Sequence, residues 1–492
     1  MARFAVPAYP HTPVPQRWPA RTLRTRRPLA AALAVIVLNS TLQAVDPQLN
    51  AVAMPAVAAD FGLDPAASDL LRSISTIALA ACMLGVAILG DLKGRKLILV
   101  LGGAGVAAAA VTGAAATNEW VFGAGRVLMG VSTAMSFAMV LAFLPALFSD
   151  RRLVRAFSVW LVVDSVAIVL IGVAGGLVQQ QWGWRCVYLL TGALALVSTV
   201  AAALLLPENR AATSRRFDTF GVVLAGVGLV ALIYSLSQGS ARGWGSPVVL
   251  GGVVIALVVL TTFVWWEAGC ANPGFPVGLF AAPAFAGACL VGLMFNLANG
   301  AIIGQFPAMA IPLGHTDAGV AMVASLIGVG SIAGATASGF VMSRYRVGPR
   351  TMFVSGLLVL AVGLASQIFT AVGRELAVPG FGVLVVGFGI MWMQNPQSAV
   401  VAAAAPPGLI GTVGSVKPAV GQLGMGLGLG VAGPVAALLT TGEARTPHAY
   451  GVGMLALSVL FVLAALAVAF LMRVPARRPP TAAAPVLAPV TP

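Results

Sequence analysis

The chain has 492 residues, 59% of them hydrophobic and 9% charged, with a formal net charge of +14. Soluble globular chains carry about a quarter charged residues, so this composition excludes that class. The positive balance, which in a soluble protein would point to nucleic acid, reads here as basic loops on one side of a membrane, and no nucleic-acid partner is expected.

Residues 1–28 are rich in Pro and Arg and hold no apolar stretch of their own. They lack the early apolar region and small-residue cleavage site of a signal peptide, and are expected to form a disordered cytoplasmic arm. Apolar blocks follow at 29–57, 68–90, 97–116, 120–148, 155–180, 186–206, 219–237, 247–266, 283–311, 318–342, 351–372, 377–404, 409–440 and 450–472. Each is about the length of a helix that crosses the hydrocarbon, which predicts an all-α integral membrane protein with 14 transmembrane helices. The Pro- and Ala-rich residues 473–492 are expected to be a second disordered cytoplasmic tail.

Charge orients the blocks. Arg3, Arg17, Arg21, Arg24, Arg26 and Arg27 precede block 1; Lys93, Arg95 and Lys96 follow block 2; Arg151, Arg152 and Arg155 follow block 4. Arg210, Arg215 and Arg216 follow block 6, Arg344, Arg346 and Arg350 follow block 10, and Arg473, Arg477 and Arg478 follow block 14. The other side has only Arg72, Arg185, Arg242, Arg374 and Arg445. The positive-inside rule assigns the first group, and with it both termini, to the cytoplasm. The alternation holds only for an even number of crossings, so it supports the count of fourteen as well. Sparse Lys and abundant Ala suit a GC-rich bacterial genome, hence a bacterial inner membrane.

Four charges stand inside apolar blocks: Asp46, Arg126, Asp164 and Lys417. Each costs roughly 2.5–3.5 kcal/mol at a helix centre, so such residues pair or face a watery cavity. Asp46 lies about 13 Å and Arg126 about 10 Å below the outer surface at the rise of an α-helix. The matching depths predict an Asp46–Arg126 pair, either a static tie or a carboxylate poised to exchange a proton. Asp164 and Lys417 match near the midplane. Block 9 carries Phe295, Asn296, Asn299 and Gln305, and block 12 carries Trp392, Met393, Gln394, Asn395 and Gln397. These amides and aromatics suit either a pocket for amphipathic compounds or interhelical hydrogen bonds. Alternating glycines from Gly424 to Gly430 read as helix packing.

Cys82, Cys186, Cys270 and Cys289 form no CxxC, and His11, His315 and His448 lie far apart, so neither a disulfide framework nor a metal site is predicted. No GxxxxGK[ST] loop for ATP exists, and no cofactor is expected. A polytopic membrane enzyme would need a cluster of His, Asp or Glu at the membrane face, which the sequence lacks, so no enzyme activity is expected.

The loop after block 2 reads Ala87, Ile88, Leu89, Gly90, Asp91, Leu92, Lys93, Gly94, Arg95, Lys96. Gly94 permits a tight turn, and Asp91 is set to cap a helix or pair with a cation. It resembles the Gly-x-Leu-Ala-Asp-x-x-Gly-Arg-Arg signature of the major facilitator superfamily, with Ala87 and Leu92 as departures. Asp46 to Pro55, Arg126 to Gly130 (with Met129 for a glutamine), Trp182-Gly-Trp184-Arg185, Asp218, Gly243-Trp244, Glu267 and Gln422-Leu-Gly424 resemble further motifs of its fourteen-helix drug:proton antiporter branch. Together they cover about residues 30–470. Block 5 reads Ile171, Gly172, Val173, Ala174, Gly175, Gly176, so the branch's Gly-Pro pair is absent although its last glycines remain.

The resemblance implies a major facilitator fold with 14 transmembrane helices arranged 6 + 2 + 6. The N-terminal bundle would span 29–206, a linker with inserted helices 7 and 8 would span 207–282, and the C-terminal bundle would span 283–472. It implies secondary active transport, with Asp46, Arg126 and Asp164 in proton coupling and Asp91, Gly94, Arg95 and Lys96 as a conformational switch loop. Asn296, Asn299, Gln305, Trp392, Gln394, Asn395 and Lys417 would contact substrate. The expected partners are a small-molecule substrate, protons and the lipid bilayer, and the protein is expected to be a monomer. Proton-coupled efflux of hydrophobic or amphipathic drugs or antibiotics is the leading expectation. Export of an endogenous metabolite or lipid, and uncoupled facilitation, stay open.

Overall fold

A computed structural model describes residues 26–473 apart from 64, 149, 209–217, 244, 271–274, 316, 346, 373–375, 407–409 and 440–445. Most of the N-terminal arm, the C-terminal tail after Arg473, and Trp244, Arg210, Arg215, Arg216, Arg346, Arg374 and Arg445 lie outside the described residues.

Helices account for the apolar blocks. In the first part of the chain these are α1 (Arg26–Phe61), α2 (Pro65–Lys93), α3 (Arg95–Ala114), α4 (Glu119–Leu147), α5 (Asp150–Trp182) and α6 (Trp184–Leu205). Then come α7 (Thr219–Arg242) and α8 (Pro247–Gly269). The remainder is α9 (Pro283–Ala310), α10 (Asp317–Tyr345), α11 (Pro349–Ala365), α12 (Ile368–Val372), α13 (Ala377–Ala404), α14 (Ile410–Gly414), α15 (Val416–Leu439) and α16 (Pro447–Leu471). No strand occurs among the described residues. Helices alone close every backbone hydrogen bond within one segment, which is what a bilayer demands.

Among the described residues, 11 helices are each long and apolar enough to cross a membrane. Around Asp46, α1 carries two shorter apolar stretches, Leu29–Leu42 and Val52–Phe61. It begins at Arg26, so the first helix starts inside the stretch assigned to the arm. Two blocks that read as continuous are broken. Block 11 divides at Ser366 and Gln367, where the Ser366 hydroxyl and the Gln367 amide both donate to the Gly363 carbonyl and end α11. Block 13 divides at Ser415, and Pro418 follows within the first turn of α15, where its missing N–H has no helical partner to lose.

Glycine makes the turns at two of the corners that join bundle helices. Gly94, at φ 120°, separates α2 from α3, and Gly183, at φ 82°, separates α5 from α6 in the Trp-Gly-Trp corner.

Packing sorts the helices into two sets. α3 lies on α4 and α6, α2 on α4, and α1 on α5 and α6. In the other set α9 lies on α15 and α13, α10 on α13, and α11 on α13 and α16. Gly424 and Gly428 of α15 meet the Leu293 and Leu297 backbone of α9 with no room for a Cβ, the packing use expected of this glycine run. The sets touch where α5 meets α10, where α2 meets α15, and where α14 meets α2 and α4. α7 pairs with α8 and packs on both α2 and α15. α8 buries little beyond Val249, Ala256 and Glu267. Its base is tied by Asp218, which caps α7 at the Gly221 N–H (2.9 Å) and accepts from Trp266 Nε1 (3.2 Å). Glu267 accepts from the Phe275 N–H at 3.1 Å.

Candidate functional site

The Asp46–Arg126 pair expected from depth is present. Arg126 donates from Nη1 to Asp46 Oδ1 at 2.7 Å and from Nη2 to Asp46 Oδ2 at 3.0 Å. Nη2 also lies 2.6 Å from Ser75 Oγ, to which it donates. Asp46 is 5% and Arg126 2% exposed. Two parallel charge-assisted bonds are the strongest way to hold a carboxylate on a guanidinium. Local sequence explains the approach. Gly130, one turn after Arg126, faces the Ser75 carbonyl so closely that a Cβ would not fit. That glycine lets α4 approach α2, which brings the guanidinium to Ser75 and Asp46. The Tyr188 ring lies 6.0 Å from the guanidinium, and its hydroxyl donates to Asn50 Oδ1 at 2.7 Å.

A small cavity of about 20 Å³, room for about one water molecule, opens beside this pair. Asp46, Ser75, Thr76, Leu79 and Thr133 line it from α1, α2 and α4, and Gln422 reaches it from α15. Sequence reasoning found Asp46 and missed Thr76, Thr133 and Gln422 as cavity residues. Isolated hydroxyls and one amide in apolar blocks look like ordinary packing groups. The available signal was that Thr133 lies two turns from Arg126, on the same helix face.

A second buried cluster gathers Asp164 and Lys417. Ser40 Oγ donates to Asp164 Oδ2 at 3.0 Å, and Thr41 Oγ1 lies 3.0 Å from Oδ1. Trp160 Nε1 donates to the same Ser40 hydroxyl. Lys417 Nζ stands 5.0 Å over the Trp160 ring and donates to Ser398 Oγ at 2.7 Å. The two charges share one cluster, as their depths suggested, but no ion pair joins them among the described residues. Trp160 and Ser40 stand between them. Neither was singled out in the sequence, because both read as core residues.

The loop between α2 and α3 forms a third site. Arg95 donates from Nε and Nη2 to Asp91 Oδ1 at 3.1 and 2.9 Å, and both residues are buried. Asp91 therefore pairs with a cation and does not cap α3, whose N-cap is Gly94. Thr412 Oγ1 of α14 donates to Asp91 Oδ2 at 3.4 Å, which links the loop to the other helix set. Lys96 is partly exposed and makes no ion pair among the described residues.

The amide and aromatic candidates of blocks 9 and 12 sit largely between helices. Trp392 Nε1 donates to Ser355 Oγ at 3.0 Å and its ring stacks on Phe388. Asn395 donates to the Ala335 carbonyl at 3.3 Å, and Gln397 to that of Ala288 at 3.1 Å. Asn296 bonds back to Gly292 of its own helix. Gln305 is buried in α9, and Asn299 and Gln394 are partly buried. None of these residues is among those lining the cavity by Asp46. Block 12 supplies crosslinks from α13 to α9, α10 and α11, because an amide flanked by apolar helices finds a carbonyl more readily than water.

The sequence model of the Major Facilitator Superfamily matches residues 35–428. The chain is 27% identical over 419 residues to the tetracenomycin C resistance and export protein of Streptomyces glaucescens, covering 84% of this chain and 77% of that one. It is 26% identical over 427 residues to the multidrug efflux pump LfrA of Mycolicibacterium smegmatis, covering 84% and 82%. It is 30% identical over 422 residues to a probable actinorhodin transporter of Streptomyces coelicolor, covering 82% and 72%. Among solved structures, the human organic anion transporter MFSD10 superposes with a TM-score of 0.64 at 18% identity, over 90% of this chain and 99% of that one. The proton:xylose symporter XylE gives 0.62 at 13% identity, over 89% and 95%. Those two likenesses concern the fold alone. A family match across most of the chain, on an all-helical membrane architecture, leads to one conclusion: this chain belongs to the Major Facilitator Superfamily.

Proposed function

We propose that the protein is a proton-coupled exporter of amphipathic small molecules, working by alternating access in a bacterial inner membrane. The observation that carries this is the buried Asp46–Arg126 pair at the edge of a cavity that residues of both helix sets line. The pair holds α1 to α4 and the bond to Ser75 adds α2, so opening it changes how three helices meet. Proton uptake at Asp46 frees Arg126 and changes the contacts between α1, α2 and α4. Asp164, wrapped by Ser40 and Thr41 beside Trp160, is a second carboxylate able to respond in the same way.

In this reading the helices form two halves, 29–206 and 283–472, that rock against each other, with α7 and α8 as an inserted pair. Fourteen crossings follow if α1, α5 and α15, of 36, 33 and 24 residues, are added to the 11 that pass on length and apolarity. Both termini then lie in the cytoplasm. The buried bonds among Asp91, Arg95 and Thr412 act as a latch on that side, and Gly94 and Lys96 complete its loop. Relatives named for antibiotic resistance, drug efflux and export support outward transport of small molecules. A relative named as a probable transporter of actinorhodin keeps export of a self-made compound as a second reading of the same reaction.

The test is transport in reconstituted vesicles with an imposed pH gradient. Wild-type protein should move substrate only with the gradient and stop when an uncoupler is added. Asp46→Asn should abolish gradient-driven transport at normal expression. Uncoupler-insensitive transport, or full activity of both Asp46→Asn and Asp164→Asn, would sink the proton mechanism.

A further inference from the structure

One short stretch of the second helix set meets the first set at successive depths. Thr412 of α14 donates to Asp91 of α2, Lys417 of α15 stands over the Trp160 ring of α5, and Gln422 of α15 reaches the cavity beside Asp46. Lys417 is the charged member of this seam. It is buried, and its Nζ donates to Ser398 Oγ of α13 at 2.7 Å and lies 5.0 Å from the centre of the indole. Its own helix set offers it no opposite charge. Between residues 283 and 472 the acids are Asp317, Glu375 and Glu443, all between apolar blocks.

The counter-charge stands across the seam. Ser40 and Thr41 orient the buried Asp164 carboxylate, but hydroxyls leave its charge in place. Among the described residues, Lys417 is the charged group whose field acts on Asp164, and Asp164 the one whose field acts on Lys417. The other buried acids nearby are taken: Asp46 by Arg126 and Asp91 by Arg95. A continuous chain joins the two charges. The ammonium sits on the Trp160 face, Trp160 Nε1 donates to Ser40, and Ser40 donates to Asp164. Each link of such a chain polarises the next. With both groups charged the cluster is neutral. A proton on Asp164 would leave an ammonium buried with no opposite charge, and attraction to a ring does not replace the hydration it lacks.

We propose that Lys417 senses the charge of Asp164 across the seam: with the carboxylate ionised it holds α15 on Trp160 and keeps shut the side where Asp91 meets Thr412, and with the carboxylate neutral it lets go and that side opens. Lys417 is then a positioning residue and makes no substrate contact. This rests on the proton-coupled reading above and gives it a moving part. The order suits an exporter. The carboxylate takes its proton while the cytoplasmic side is shut, the seam opens inward, and the same proton leaves to the cytoplasm as substrate enters.

Distances between paired spin labels on the purified full-length protein read the seam directly. The labels go on Arg152→Cys and Tyr345→Cys, exposed residues at the neighbouring ends of α5 and α10, with the native cysteines replaced. The otherwise unaltered protein should give a short separation at neutral pH. Asp164→Asn keeps Lys417 charged and removes its counter-charge, so most of the population should shift to a longer separation. Asp164→Asn combined with Lys417→Met buries no charge and should restore the short one. A packing defect at Asp164 would not be reversed by a second deletion. Acidification should lengthen the separation when Lys417 is present and leave it unchanged in Lys417→Met, which keeps the test open should Asp164→Asn misfold. An unshifted separation in Asp164→Asn, a double variant as open as the single one, or an equal response of Lys417→Met to acid would overturn the proposal. Failure of proton drive is read separately. Uncoupler-insensitive transport with this response intact defeats the antiport reading alone, whereas gradient-driven transport with a seam indifferent to Asp164 defeats this proposal alone.

Discussion

Gly130 shows how one residue without a side chain positions the two largest charges of the site. A methyl group there would press on the Ser75 carbonyl and push α4 from α2. Gly130→Ala is therefore expected to separate Arg126 from Ser75 and strain the pair with Asp46, costing about 1–3 kcal/mol as an overpacked contact does. Thermal unfolding of the purified protein should record the loss as a lowered Tm. Arg126→Ala should be worse, about 3–5 kcal/mol, because Asp46 would remain buried without a partner. Arg126→Ala combined with Asp46→Asn should recover much of that stability but not gradient-driven transport, which separates the structural part of the pair from its chemical part. The pair itself was legible in the sequence, since two charges at equal depth in apolar helices have few other ways to be satisfied. Trp160, Ser40 and Thr133 were not, and Gln422 was visible only as part of a motif, not as a cavity residue. An uncharged polar residue in an apolar helix has many cheap partners, most of them carbonyls of its own helix, so its presence does not specify where it points.

At the scale of elements, block lengths and the basic loops were enough to find the helices. The interruptions at Ser366–Gln367 and at Ser415 were hidden, because the composition stays apolar through both and only the side-chain-to-carbonyl bonds mark the breaks. The inserted pair poses a mechanical question that hydropathy cannot raise. α7 touches α2 through Val222, packed on Gly85, and through Gly226, close to the Ala81 carbonyl. It touches α15 through Leu236, beside Gly426. If α2 and α15 move relative to each other, α7 must leave one of them. The backbone-level contact at Gly226 favours α2 as the permanent partner. A Cβ built on Gly85 lies 4.0 Å from Val222 Cβ, and one on Gly426 lies 3.6 Å from Leu236 Cβ; both distances fit a disulfide. The Gly85→Cys/Val222→Cys crosslink should leave transport near wild-type, and the Gly426→Cys/Leu236→Cys crosslink should arrest it until reduced. Arrest by the first pair and tolerance of the second would assign α7 to the other half.

For the whole molecule, the uneven distribution of Arg and Lys predicts which ends face which compartment. Two native thiols can report on it. Cys186 lies at the start of α6 and Cys270 just after α8, and both are partly exposed. With the termini in the cytoplasm, a membrane-impermeant maleimide should label Cys186 in intact cells and Cys270 only in inverted vesicles. The reverse pattern would invert the topology, and labelling of both from one side would mean an even number of crossings between them instead of the three of α6, α7 and α8.

The α7–α8 pair also makes the protein unequal on its two flanks. The line where α2 meets α15 is overlaid by α7, whereas the line where α5 meets α10 is flanked by α13, a helix of the second set, and not by the inserted pair. Oily compounds accumulate in the membrane leaflets before they meet any pump. For a molecule arriving sideways through the lipid, one flank is a wall and the other a doorway, so the pump has a front and a back within the plane of the membrane. Bulky residues placed along the α5–α10 line should then slow capture of the most membrane-soluble compounds first and spare those that arrive from water.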